Sequence, residues 1–233
     1  MKFSAMLKFF DVDQKVVLII LEPEIQVMDI CFIKRILYMY CREELESNKS
    51  FYRMINDDLR TKDPSKIDRF IVLLGLIYKS IEDKELASYQ GQVYRATKLD
   101  ENLILKLKPG STMINITFWS TSKKFNVADN FMKKNKWRNA FIFCKTIKTN
   151  IDIDYEDLNP FNEKEVLILP FTEFKVEKIS CENKYEKKIY IIELIELGNK
   201  SLVNYDDMNI EVVNDLSTSS LAKNYLKTIT TNK

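Results

Sequence analysis

The chain has 233 residues, of which 45% are hydrophobic and 12% aromatic, enough for a large domain with a packed core. Its 36 Lys and Arg residues nearly balance 34 Asp and Glu residues, so the net charge of +2 favours neither a nucleic-acid surface nor a polybasic membrane anchor. The chain contains no histidine, which excludes Ser-His-Asp and Cys-His catalysis and histidine metal sites. Acid-base chemistry therefore falls to carboxylates.

Four widely spaced cysteines, Cys31, Cys41, Cys144 and Cys181, include no C-x-x-C pair of the kind that zinc or redox sites use. We interpret them as reduced thiols of the core, with disulfides as the alternative, and we expect no metal. The apolar N-terminal stretch is interrupted by Lys8 and is too short for a signal peptide. We expect a soluble protein that acts in the cytoplasm, or that is delivered into a host cell without an N-terminal signal.

The first 89 residues predict a mainly helical lobe. From Pro23 to about Ser47, apolar residues recur at three- and four-residue spacing, which is typical of an amphipathic helix. A second helix is predicted to open with Asp63 as N-cap and Pro64 at N1, and a short helix is predicted between Phe51 and Leu59.

After Gln90 the chain consists of short β-branched or aromatic segments that partly alternate, separated by turn residues such as Pro109 and Gly110. This half predicts a sheet, interrupted by a helix over Val127–Lys134 with Asn126 as its cap. Helices first and strands second predict an α+β fold rather than alternating βαβ units. We expect a single domain over 1–233, with a helical lobe at 1–89, a β-rich catalytic core at 90–198 and a polar C-terminal tail at 199–233.

Two short motifs stand out in the strand-rich half. Arg95 lies in the extended segment QVYRATK, and a guanidinium on a rigid strand is a good bidentate partner for a phosphate or carboxylate. The aromatic segment TFWSTSKK ends in three consecutive hydroxyls, Ser120, Thr121 and Ser122. Alone, the first motif is typical of a surface arginine and the second of a strand end that meets a turn.

A third motif, NEKEVLILPF, sets two glutamates on either side of one lysine. Val166 begins a buried apolar run, and side chains two apart on a strand share a face, so Glu163 and Glu165 are predicted to point the same way. Two carboxylates at so short a separation repel each other, which tends to raise the pKa of one of them. A solvated strand end is the ordinary explanation, but the order of the three motifs argues against it.

In that order the motifs resemble those of the mono-ADP-ribosyltransferases of the R-S-E class, which include arginine-specific animal enzymes and the catalytic subunits of bacterial binary toxins. The resemblance covers about 92–179. NEKEVLILPFTEFKV is similar to the family's E-x-E-V-L pattern, VYRA to its aromatic-arginine segment and FWSTS to its Ser-Thr-Ser strand. The resemblance implies a β-sandwich-like NAD-binding core of the ADP-ribosyltransferase type, packed against the helical lobe.

The resemblance also implies a role for each matched residue. Arg95 would hold the pyrophosphate of NAD, and the backbone at Ala96, where many members carry glycine, would bind the nicotinamide amide. Ser120 would contact the nicotinamide ribose and orient Glu165, the catalytic glutamate. Glu163 would be a second acid that serves transfer to arginine.

Thr121 and Ser122 would complete the NAD-binding strand by fixing its shape. Phe131 stands where similar toxins carry an aromatic that packs on the nicotinamide side, and its alternative is a core residue of the helix. The loop that meets the protein target would carry Tyr155, Phe161 and Asn162.

The implied activity is cleavage of NAD at the nicotinamide-ribose bond and transfer of ADP-ribose to a protein arginine, with NAD as substrate and no metal. Three alternatives stay open: hydrolysis of NAD with water as acceptor, transfer to a different acceptor, and a binding module that has lost activity. We expect a monomer whose partner is a protein substrate rather than a membrane or a nucleic acid.

Overall fold

The computed structural model of the chain describes residues 30–41, 51–61, 73–74, 77–78, 80–158 and 163–198. The chain divides into two compact units, Met1–Leu86 and Ala87–Lys233. In the first unit the described helices are α1 (Ile30–Cys41) and α2 (Phe51–Arg60). No helix in the described part of the chain is both long and apolar enough to span a membrane.

Helix α1 buries one stripe, which holds Ile33, Ile36, Leu37 and Tyr40 at three- and four-residue spacing. The phenol of Tyr40 accepts a hydrogen bond at 3.0 Å from Nδ2 of Asn56 on α2, and both residues are buried. A satisfied polar pair therefore fixes the two helices against each other inside an apolar interface.

The short helix predicted between Phe51 and Leu59 is confirmed and ends at Arg60. The long helix predicted from Pro23 to about Ser47 is confirmed over Ile30–Cys41, and its remainder lies outside the described residues. The predicted cap at Asp63 and Pro64 also lies outside them.

Eight strands form one sheet in the described part of the second unit, in the order β2-β7-β8-β4-β1-β3-β6-β5. Every neighbouring pair is antiparallel except β4 and β8. The sheet predicted after Gln90 is confirmed. The strands are β1 (Gly91–Thr97), β2 (Thr112–Asn115), β3 (Trp119–Ser122), β4 (Ala140–Thr146), β5 (Asn150–Ile151), β6 (Glu165–Ile168), β7 (Thr172–Lys184) and β8 (Lys187–Glu196).

The sheet has a narrow junction between β1 and β3. Strand β1 pairs with β4 along its whole length, but it shares a single register pair with β3, Tyr94 with Ser122. The junction therefore places the middle of β1 beside the end of β3, within one continuous sheet.

In the described part of the second unit, two helices accompany the sheet, α3 (Glu101–Lys106) and α4 (Phe125–Lys134). Helix α4 begins at Phe125, so the predicted start at Val127 and the predicted cap at Asn126 are wrong. The N-cap is Lys124, whose side chain makes no capping bond; the Ser122 hydroxyl accepts from the Lys124 backbone N–H at 3.0 Å instead. The helix starts earlier because the Phe125 ring joins a cluster of aromatic side chains, with Tyr94, Phe141 and Phe143 at centroid distances of 5.3–5.6 Å.

The sheet buries a large apolar cluster in which Trp119 stacks on Phe174, with ring centroids 5.6 Å apart. Among the described cysteines, Cys144 is buried and Cys41 partly buried, and each is a thiol rather than half of a disulfide, as predicted. Cys181 is also free but exposed on β7, so its assignment to the core is wrong. Burial raises the pKa of Cys144 well above its ordinary value, and the nearby carboxylate of Glu196 adds to this shift.

Candidate active site

The arginine motif and the hydroxyl motif meet at the β1–β3 junction. Arg95 lies in the middle of β1, half-buried, and its Nη1 donates a 2.6 Å hydrogen bond to the main-chain carbonyl of Ser120 on β3. This contact lies beside the Tyr94–Ser122 register pair. Two of the three sequence motifs are thus in direct contact, and the guanidinium is held in place by a rigid strand.

The hydroxyls of Thr121 and Ser122 form hydrogen bonds to the segment that carries the two glutamates. The buried Oγ1 of Thr121 donates to the carbonyl of Val166 at 2.6 Å, and Oγ of Ser122 donates to the carbonyl of Glu163 at 2.7 Å. Both bonds supplement the antiparallel ladder between β3 and β6. Thr121 and Ser122 therefore tie β3 to the segment that carries the glutamates; the roles in NAD binding that the resemblance implies for them stay predictions.

The two glutamates do not lie on one strand. Strand β6 begins at Glu165, and Lys164 before it has φ of +52°, in the left-handed region. Glu163 therefore precedes the strand. The prediction that the two side chains share a face assumed that both glutamates lie on one strand, and that assumption is wrong. The relative direction of the carboxylates depends on the turn at Lys164, because period-two alternation requires extended backbone.

The strand register sets Glu165 beside the hydroxyls. Glu165 lies opposite Ser122, and Ser120 lies opposite Leu167, the next position on the same face. Directly opposed residues in an antiparallel pair project from one face, and their diagonal neighbours lie roughly 7–8 Å apart, within reach of long side chains. Ser120 is thus a diagonal neighbour of Glu165 on the same face, and Glu165 is only 5% exposed.

Ala96 and Phe131 lie in a second buried cluster, around helix α4. Ala96 is 6% exposed and pairs with Phe141 of β4. Phe131 is half-buried and packs against the cluster, and the guanidinium of Arg138 lies 5.0 Å from its ring centroid. Phe131 therefore has the packing contacts that its alternative role in the core requires, and its contact with nicotinamide stays a prediction.

The predicted target-facing loop is described only at its start. Tyr155 is 76% exposed, and its backbone N–H donates at 3.1 Å to the Asp152 carboxylate, which holds the turn that presents the ring. Phe161 and Asn162 lie outside the described residues. An exposed aromatic ring on a fixed backbone offers contact area to a partner at a small cost in conformational entropy.

An ion-pair cluster beside the glutamates escaped the sequence analysis. The Lys123 ammonium lies 2.6 Å from Asp152 and 3.2 Å from Asp154, and the Lys164 ammonium lies 2.9 Å from Asp154. In the sequence, these lysines could have been noticed only by their positions, because Lys123 follows the hydroxyl motif and Lys164 separates the two glutamates. Within the described residues, no three Cys, Asp or Glu side chains come together as a metal-binding group.

No protein-family model matches the chain, and no curated protein matches it with significance. Solved structures do match. The ADP-ribosyltransferase Vis, a toxin of Vibrio splendidus, in complex with agmatine, is 20% identical with a TM-score of 0.57, over 90% of this chain and 88% of that one. Exoenzyme S of Pseudomonas aeruginosa, bound to carba-NAD in a complex with human 14-3-3 protein beta, is 15% identical with a TM-score of 0.53, over 88% of each chain.

A third similar structure is the type III effector XopAI of Xanthomonas axonopodis pv. citri, at 16% identity and a TM-score of 0.52 over 84% of this chain and 72% of that one. The chain therefore has the fold of ADP-ribosyltransferase toxins, and the fold that the motifs predicted is confirmed. At these identities the likeness defines the fold, while the activity must be argued from the site.

Proposed function

We propose that the protein is a mono-ADP-ribosyltransferase that cleaves NAD at the nicotinamide-ribose bond and transfers ADP-ribose to an arginine of a protein. The observation that carries the proposal is the convergence of three motifs that are far apart in the sequence. Arg95 contacts Ser120 directly, and Ser122 lies opposite Glu165 in the strand register. The fold shared with Vis and exoenzyme S supports the same class of enzyme.

Arg95 would bind the pyrophosphate of NAD. A guanidinium is always charged, and its planar fork of N–H donors suits phosphate oxygens. Because the bond to β3 fixes the plane of the side chain, less conformational entropy is lost when a phosphate binds. Anchoring the pyrophosphate at this end orients the nicotinamide-ribose bond toward the glutamate strand.

Glu165 would stabilise the reacting ribose. Breaking the bond to nicotinamide spreads positive charge over C1′ and the ring oxygen, as in the oxocarbenium-like transition states of glycosidases. A carboxylate that is 5% exposed acts through a medium of low dielectric constant, where its attraction for that charge is much stronger than in water. Ser120, within reach on the same face, would fix the carboxylate and the ribose hydroxyl.

Glu163 would bind the acceptor guanidinium and accept its proton. An arginine guanidinium has a pKa above 12 and is therefore a poor nucleophile. A carboxylate paired with it can aim one nitrogen at C1′ and accept the proton that leaves as the new bond forms. Glu163 is half-buried and lies at the start of the turn, where a guanidinium could enter. Vis in complex with agmatine, a small guanidine compound, supports an acceptor of this type.

The exposed Tyr155 and the loop it opens would contact the protein target. Vis is described as a toxin and XopAI as a type III effector. We include in the proposal that this chain acts on a protein in the cytoplasm of a host cell.

The test is to incubate the purified chain with NAD, with and without excess agmatine, and to follow nicotinamide release and adduct mass. We expect nicotinamide release, and an agmatine adduct heavier by one ADP-ribose. Release without an adduct would replace the proposal by NAD hydrolysis or by transfer to a different acceptor. Absence of release would favour a silent binding module.

A further inference from the structure

The turn that carries the two glutamates is held at each of its three carbonyl groups. The Glu163 carbonyl accepts from the Ser122 hydroxyl at 2.7 Å, and the Lys164 carbonyl from the Lys123 N–H at 2.9 Å. The Glu165 carbonyl accepts from the Asp154 N–H at 3.1 Å. The end of β3 and the segment around Asp154 therefore clamp the turn from two directions.

The middle of the turn has a conformation that its residue disfavours. Lys164 has φ of +52°, and for a residue with a Cβ the left-handed region is disfavoured because the Cβ lies too close to the following carbonyl oxygen. Such a conformation persists where the surroundings over-determine it, which is typical of functional sites. The turn therefore depends on contacts that lie outside it.

The Lys164 side chain supplies one of those contacts. Its ammonium pairs with Oδ1 of Asp154, whose Oδ2 accepts from the ammonium of Lys123, which also pairs with Asp152. The four charged groups form a neutral chain of two carboxylates and two ammonium groups. The Lys123 ammonium also lies 5.0 Å from the ring centroid of Tyr89, a cation-π contact that fixes it further.

The cluster is sheltered enough to hold its geometry. The side chains of Lys123, Asp152 and Asp154 are 21%, 10% and 24% exposed, and that of Lys164 is 35% exposed. Burial alone would raise the pKa of Asp154, but the hydrogen bonds from Lys164 and Lys123 outweigh it and lower that pKa below 3.8. Asp154 is therefore charged at neutral pH, and ion pairs joined in a network contribute more to stability than isolated pairs on a surface.

We propose that Asp154 is a positioning residue, which holds the strained turn at Lys164 and thereby aims Glu163 at the acceptor. This inference rests on the proposed function and deepens it. Glu165 lies in β6, where the ladder with β3 fixes its backbone independently. Glu163 precedes the strand, so its direction depends on the turn. Loss of the ion pair should therefore impair transfer to the guanidine acceptor more than cleavage of NAD.

The key variant is Asp154→Asn, which keeps the side-chain shape and the backbone bond to Glu165 but removes the charge that pairs with Lys164. A shift of about 1 Å in a reacting group can cost about 100-fold in rate, and a partly released turn should cost at least about 10-fold in transfer to agmatine. NAD hydrolysis should stay within about 2-fold of wild type. The matched control is Glu193→Gln, which breaks an exposed pair with Lys178 at 3.6 Å, away from the turn.

The reciprocal variant Lys164→Met should show the same selective loss, and the double variant should be no worse than Asp154→Asn alone, because Asp154→Asn already removes the pair with Lys164 together with the pair to Lys123. If Asp154→Asn fails to fold, Lys164→Met carries the test, since its side chain is the more exposed of the pair. An unchanged ratio of transfer to hydrolysis in the folded variant would overturn the inference, and so would strictly additive losses.

Amide hydrogen exchange over 163–168 provides a readout that does not depend on catalysis. We expect faster exchange in Asp154→Asn than in Glu193→Gln and wild type, and equal exchange in all three would overturn the positioning role. If wild type does not turn over NAD, the proposed function fails while the exchange result still decides whether Asp154 holds the turn. The two failures are therefore distinguishable.

Discussion

Asp129 of helix α4 is the centre of an ion-pair cluster that joins the helix to the end of the β7–β8 hairpin. Its carboxylate accepts from Lys133 at 2.8 Å and from Lys184 at 3.2 Å, and it also accepts a hydrogen bond from the Tyr185 phenol. The Asp129 side chain is 14% exposed. We predict that Asp129→Asn destabilises the sheet-bearing unit, because it leaves two ammonium groups without their shared counter-charge.

The magnitude follows from the pKa of Asp129. Burial would raise this pKa, but the bonds from Lys133, Tyr185 and Lys184 outweigh burial and lower the pKa from 3.8 to about 2. At about 1.4 kcal/mol for each pKa unit, this corresponds to roughly 2.5 kcal/mol. The Lys133 side chain is 51% exposed, so solvent screens its share, and we expect about 1.5–2 kcal/mol at pH 7.

The pH dependence has a defined sign. Because the pKa is lower in the folded state, the stabilisation is fully present above pH 4 and is lost as the pH falls toward 2. The assay is urea denaturation of wild type and Asp129→Asn at pH 7, 5, 3 and 2. The difference in unfolding free energy should be largest at pH 7 and 5, smaller at pH 3 and close to zero at pH 2. Equal stability at pH 7, or a difference that does not shrink in acid, would refute the reasoning.

Three further predictions concern carboxylates. Glu165→Gln should lower both NAD hydrolysis and transfer by at least about 100-fold, because it removes the charge that we propose to lie beside the reacting ribose. The measurement is an assay of nicotinamide release, and retained turnover would remove Glu165 from the mechanism. Glu163→Ala should lower agmatine transfer by at least about 10-fold and leave NAD hydrolysis within a few-fold, and equal loss of both would mean that Glu163 also serves bond cleavage. Glu196 is 2% exposed, and its carboxylate accepts from the backbone N–H of Ile147 at 2.6 Å and of Thr149 at 2.8 Å. Glu196→Gln should therefore cost about 1.5–3 kcal/mol in urea denaturation, and an unchanged midpoint would contradict the role of its charge.

The strands could be predicted because their physical signal is local. KKIYIIELIEL alternates and is rich in β-branched residues, and β8 occupies Lys187–Glu196 within it. The three motifs could be found for the same reason: each places particular residue types within a few positions of one another. The Arg95–Ser120 contact required nothing further than a sheet that brings β1 beside β3.

The start of α4 could not be predicted from propensity. Asn126 is a better N-cap than Lys124 in isolation, since its side chain can accept a backbone hydrogen bond. In the structure the hydroxyl of Ser122, on the strand before the helix, instead accepts from the N–H of the cap residue Lys124. Burying the Phe125 ring among aromatic residues of β1 and β4 then outweighs the weaker local cap.

The backbone of the turn between Glu163 and Glu165 could not be predicted from the local sequence either. The alternation rule predicted the wrong backbone, because nothing in the letters E-K-E indicates that the lysine has positive φ. That conformation is stabilised by partners such as Ser122 and Asp154, which are distant along the chain and adjacent only in the fold. If Asp154 is what aims Glu163, then the choice between arginine and water as acceptor depends on contacts made outside the E-x-E motif. Two chains with identical motifs could then differ in acceptor, and the ratio of transfer to hydrolysis in Asp154→Asn measures that dependence directly.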